Sequence, residues 1–160
     1  MIFVTVGTHE QPFNRLVRAM DEYASSSNEK VYIQTGYSTY EPAHCEWSKF
    51  ISFNDMKSCM KQADVVVTHG GPSSFIEAMS VGKIPVVVPR KLEFGEHVND
   101  HQVDFIRFVA EHQGGIVPVY DIAKLSNAIE EARRLSRSGV DFISHNAEFC
   151  RELCKRIERL

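Results

Sequence analysis

The chain has 160 residues, 43% of them apolar and 24% charged, with a formal net charge of −3. That length suits a single domain with a sizeable core, and the mild acidity argues against nucleic acid as a partner. No apolar run approaches the roughly 20 residues that span a bilayer, and the start Met1-Ile2-Phe3-Val4 lacks the basic residues of a signal peptide, so the expected location is the cytoplasm.

In chain order, an apolar run over residues 2–6 reads as a strand closed by Gly7, and Phe13, Leu16, Val17, Met20 and Tyr23 then recur at helical spacing. Residues 31–34 form a second strand and 50–53 are expected to form a third. Asn54 is expected to cap the next helix, whose apolar face includes Met56, Met60 and Ala63. Residues 65–68 are a fourth strand, followed by a helix over 73–80 that Gly82 ends. Residues 85–89 are a fifth strand, and a long loop over 90–98 precedes a helix over 99–112. Gly114-Gly115 breaks that helix, 116–119 form a sixth strand, and helices over 122–135 and 141–160 close the chain. Cys45, Cys59, Cys150 and Cys154 contain no C-x-x-C and read as reduced thiols.

Strands that are apolar on both faces and alternate with helices imply an α/β fold: a doubly wound, mostly parallel sheet of about six strands with helices on both faces. Residues 1–140 would form this Rossmann-like domain, with 141–160 as an appended amphipathic helix. In such a sheet ligands bind beyond the carboxyl ends of the strands, where the strand order reverses. The loops after strands one, four and five therefore hold the candidate chemistry.

The loop after strand four reads Thr68-His69-Gly70-Gly71-Pro72-Ser73-Ser74. Two glycines let backbone approach a ligand, Pro72 suits helix entry, and a helix N-terminus offers unpaired N–H groups and partial positive charge to a phosphate. Glu77, one turn on, can accept ribose hydroxyls. The same residues also suit a plain strand-to-helix turn, so this loop alone leaves both readings open. It is neither G-x-G-x-x-G nor a Walker A loop.

The loop after strand five carries Glu93, Glu96, His97, Asn99, Asp100, His101 and Gln102, polar groups able to bind sugar hydroxyls or simply to cap a helix. His97 and His101 have the i,i+4 spacing of metal ligands, but no third ligand stands out, and no metal is expected. The loop after strand one offers Thr8 to a phosphate and His9 as a general base or an interface residue.

Together, the stretch from Asp64 through Gly70-Gly71, Glu77-Ala78 and Gly82-Lys83-Ile84-Pro85 to Asn99-Asp100-His101-Gln102 resembles the glycosyltransferase family 28 C-terminal domain, the donor-binding half of two-domain (GT-B) transferases. It resembles most the small subunits of split transferases of the Alg13, PssE, Cps14G and EpsF type. The resemblance implies that Thr8, His69, Gly70, Gly71, Ser73 and Ser74 meet the donor diphosphate and Glu77 the ribose. It implies that the Phe53 backbone meets uracil, and that His97, Asn99, Asp100, His101 and Gln102 meet the sugar. The implied activity is inverting transfer from a UDP-sugar to a lipid-linked acceptor in capsule or exopolysaccharide synthesis, with no cofactor and no metal required. The alternatives are an Alg13-like UDP-GlcNAc transferase subunit of glycolipid synthesis and a non-catalytic UDP-sugar-binding module. A phosphate-binding hydrolase is a further rival.

The implied partner is an Alg14-like or Cps14F-like membrane-anchored subunit that holds the chain at the inner membrane face. The isolated chain could pair with itself through the same surface. Ile143, Ala147, Cys150, Cys154 and Ile157 form an apolar stripe on the last helix, suited to its own domain or to that partner.

Overall fold

The computed structural model describes residues 1–138. The expected helix over 141–160, with its apolar stripe, lies outside the described residues. In chain order the elements are β1 (Ile2–Thr5), α1 (Asn14–Ser26), β2 (Val31–Gln34), β3 (Glu46–Ser48), α2 (Phe53–Gln62), β4 (Val65–His69), α3 (Pro72–Ser80), β5 (Val86–Val88), α4 (His101–His112), β6 (Val117–Pro118) and α5 (Leu125–Arg137). One-turn 3₁₀ helices at Leu92–Phe94 and Ile122–Lys124 interrupt the loops before α4 and α5.

All six strands are parallel, in the order β3-β2-β1-β4-β5-β6. Alternation along the strands splits the core. Ile2, Val4, Val65, Val67, Val86 and Val88 point to α1 and α5, where Leu16, Val17, Met20 and Ile129 meet them. Phe3 and Val66 point the other way, to Met60 and Ala63 at the end of α2 and Ala78 of α3. Val87 joins Phe75 of α3 and Ile106 and Val109 of α4. The strand order reverses between β1 and β4, so the loops after these two strands diverge and leave a crevice.

Two local expectations fail. Residues 50–53 are not a strand: Phe50 and Phe53 are exposed, and the third strand is the short edge segment Glu46–Ser48, paired with β2 on one side only. An edge strand needs no two-faced apolar run, so its sequence carries no such signal. The cap of α2 is Ser52 and not Asn54, because the Ser52 hydroxyl accepts from the Asp55 N–H at 3.1 Å.

Candidate functional site

At the crevice, the turn after β4 is built around the His69 ring. The imidazole is buried, Nδ1 accepts from the Gly71 N–H at 3.0 Å, and Nε2 lies 3.0 Å from Ser74 Oγ. An accepting Nδ1 places the ring proton on Nε2, so His69 donates to Ser74 and leaves the Ser74 hydroxyl proton free to point outward. Burial, with Arg90, His9 and His97 nearby, pulls the His69 pKa down to about 3, so the ring is neutral at working pH.

Three glycines fit around this arrangement. A β-carbon on Gly7 or on Gly71 would overlap the His69 ring, and one on Gly70 would press at 3.0 Å on Gln102. Gly7 also has φ +76°, a conformation costly for other residues. The loops after β1 and β4 therefore close on one imidazole.

The N-terminus of α3 is open. Its cap position is Gly71, with no side-chain cap, and Pro72 follows with no N–H to satisfy. Ser73 is exposed. A cleft of about 650 Å³ adjoins this end, lined by Gly70, Gly71, Pro72, His97, His101, Gln102, Asp104 and Phe105. Gln102 spends its carboxamide oxygen on the Arg90 N–H at 3.0 Å. Asn99 and Asp100 do not line the cleft. Asn99 Oδ1 accepts from the His101 N–H at 3.2 Å and Asp100 Oδ1 from the Leu92 N–H at 2.9 Å, so both hold the loop in shape.

Over the mouth of the cleft, the His9 ring stacks on His97 with centroids 4.7 Å apart, and His9 Nε2 pairs with Gln11 Oε1 at 2.9 Å. The buried Nδ1 of His97 has no partner among the described residues. Thr8 is exposed beside them. Glu77, on the next turn of α3, faces α2, where Lys57 Nζ lies 3.3 Å from Glu77 Oε1 without hydrogen-bond geometry. Phe53 begins α2 one turn before Lys57 and is 68% exposed. Among the described residues no cluster of three or more His, Cys, Asp or Glu could hold a metal ion, and no helix is long and apolar enough to cross a membrane.

The sequence missed Arg90. It is fully buried, donating to the carbonyls of Val6 at 3.0 Å, Gln11 at 2.7 Å and Glu96 at 3.1 Å, with its guanidinium over the Phe13 ring. Burial pulls its pKa to about 10, which leaves it charged at neutral pH. Glu96, equally buried, accepts a two-pronged ion pair from Arg15 at 2.8 and 2.9 Å. These charges brace the loops after β1 and β5 against each other. Asp104 and Phe105 were missed as well, although their i+3 and i+4 offsets from His101 place all three on one helix face.

Residues 1–148 match the glycosyltransferase family 28 C-terminal domain. Over 50 residues the chain is 42% identical to the UDP-N-acetylglucosamine–N-acetylmuramyl-(pentapeptide) pyrophosphoryl-undecaprenol N-acetylglucosamine transferase of Bdellovibrio bacteriovorus, a stretch that covers 31% of this chain and 14% of that protein. The fold is similar to that of the calicheamicin glycosyltransferase CalG4, with TM-score 0.60 and 18% identity over 99% of this chain and 43% of that one. It is similar also to the glycotransferase of kitacinnamycin, with TM-score 0.58 and 21% identity over 86% of this chain and 39% of that one. The chain thus spans less than half the length of each of these proteins. From the doubly wound sheet, the open α3 turn and the match over nearly its whole length, the chain belongs to the glycosyltransferase family 28 C-terminal domain family.

Proposed function

We propose that this chain is the donor-binding part of a glycosyltransferase that moves a hexose or N-acetylhexosamine from a UDP-sugar to a lipid-linked acceptor. A membrane-anchored second subunit would supply the acceptor half and hold the chain at the inner membrane face, in capsule or exopolysaccharide synthesis. The observation that carries this reading is the uncapped α3 N-terminus, closed to a β-carbon at Gly71, crowded at Gly70 and open to a cleft of about 650 Å³.

The diphosphate sits against the Ser73 N–H and the hydroxyls of Ser73 and Ser74, where the helix dipole favours negative charge. The sugar extends into the cleft toward His97, His101 and Gln102. The ribose reaches Glu77, which exchanges Lys57 for ribose hydroxyls, and uracil meets the backbone at Phe53. As the glycosidic bond breaks, the anomeric carbon gains oxocarbenium character and charge collects on the leaving diphosphate, which the α3 dipole stabilises. His9, beside His97 at the mouth, takes the proton from the incoming acceptor hydroxyl.

Saturating UDP, at about a hundred times its Kd, should add about 2.7 kcal/mol of stability, a rise in Tm of roughly 5–11 °C. AMP and NAD should add nothing. Glu77→Ala should abolish the UDP effect while leaving the unliganded Tm within about 2 °C. Co-expression with the membrane-anchored subunit, followed by a screen of UDP-sugars, tests transfer. No product from any donor overturns the assignment.

A further inference from the structure

On the other side of the β1 loop from the donor cleft lies a second cavity, of about 370 Å³, at the carboxyl ends of β2 and β3. Tyr37, Tyr40, Trp47 and Phe50 supply its aromatic walls, and Glu41 and Lys49 stand at its rim. We infer that this cavity binds a pyranose ring, and if the donor reading above holds it adds a sugar subsite from this chain to the acceptor surface that the second subunit completes.

Three observations carry the inference. First, the cavity is held open by a built loop. Residues 35–45 contain no helix or strand, yet Asn14 of α1 accepts from the Thr39 and Tyr40 N–H groups at 2.9 and 3.0 Å. Asp21 of α1 accepts from the Tyr40 hydroxyl at 2.7 Å and the His44 N–H at 2.6 Å. A compact irregular loop held in this way is frequently functional.

Second, the loop and the segment after β3 together hold aromatic rings out in solvent. Tyr37 is 51% and Phe50 48% exposed, and they meet edge to face at 5.3 Å. An exposed, immobilised aromatic wall marks a binding surface. Third, the rim carries one ammonium and one carboxylate, neither of them ion-paired among the described residues. Aromatic faces suit the C–H faces of a sugar ring, and charges of both signs suit its hydroxyl edge, each of which donates and accepts. Gly36, at φ +56°, packs against the Gly7 carbonyl, so this cavity and the donor turn share the β1 loop that carries His9.

The one tryptophan of the chain is Trp47, so its fluorescence reports on this cavity. The full chain is titrated with methyl glycosides of glucose, galactose, N-acetylglucosamine and glucuronic acid, with saturation transfer to the glycoside protons as a second readout. At least one glycoside should change Trp47 emission saturably, and Tyr37→Ala and Phe50→Ala should each weaken it by roughly tenfold. Both variants should keep the UDP-induced rise in Tm. Absence of both signals for every glycoside overturns the inference and leaves the donor reading intact. A Trp47 response to UMP alone overturns it in favour of a nucleobase site. Glycoside binding without UDP stabilisation would instead sink the donor reading.

Discussion

Gly71→Ala is the sharpest probe of the turn. The backbone there has φ −75° and ψ 130°, which alanine adopts freely, so the substitution carries no backbone strain. Its whole effect comes from the new β-carbon meeting the His69 ring. The ring is also packed against Gly7, where an added β-carbon would overlap it. To make room it must leave both of its hydrogen bonds, to the Gly71 N–H and the Ser74 hydroxyl. Two hydrogen bonds at about 1 kcal/mol each, with a buried imidazole left unsatisfied, give a loss of about 3 kcal/mol. For a domain of this size that is a fall in Tm of roughly 6–12 °C. Calorimetry on Gly71→Ala, His69→Ala and the double variant tests the account, because removing the ring removes the clash. The double variant should be no less stable than His69→Ala alone. Additive losses, or a Gly71→Ala protein as stable as the wild type, would refute the reasoning.

The remaining predictions concern charge. His69 has its folded pKa pulled below the unfolded value of 6.5, so the unfolded chain binds the extra proton, and stability should fall as pH drops from 6.5 toward 3. Urea unfolding across that window should show a shallower loss for His69→Asn, and an equally steep one would count against a neutral buried ring. Asp21 acts lower on the scale. Burial raises its pKa, but hydrogen bonds from Tyr40, His44 and Ala43 outweigh that and hold it at about 2, so its contribution is complete above about 3.8 and lost below. Asp21→Asn should abolish that last acid step and release the loop over 35–45, seen as a shift in Trp47 emission. Arg90→Lys should cost about 3 kcal/mol or more, since an ammonium cannot reach three carbonyls at once. A urea midpoint unchanged from wild type would show that Arg90 does not brace the loops.

Much of this was legible in advance. The buried parallel strands stood out because they are apolar on both faces, and residues 31–34 are a strand as expected. Helix α3 was marked by Pro72 at its entry and by Gly82, at φ +78°, after its end. The misplaced third strand had the opposite cause. Glu46-Trp47-Ser48 is too short and too polar to signal, whereas Phe50 and Phe53 are apolar for a reason other than the core. Ser52 and Asn54 are both cap residues, and composition does not choose between them.

Local chemistry in the sequence determined the layers, the strand-to-helix rhythm and the glycine turn after β4, because period and backbone freedom are properties of neighbouring residues. Only the tertiary structure decided that Gly7 and Gly71 clasp one histidine, that Arg90 threads from β5 to the carbonyls of Val6 and Gln11, and that Tyr37, Trp47 and Phe50 share a cavity. Apart from the last, and from the local contact of Gly71 with His69, these contacts join residues more than sixty positions apart. They exist because the order β3-β2-β1-β4-β5-β6 sets the first strand beside the fourth, and strand order is set by packing the whole sheet, which no single stretch of sequence records.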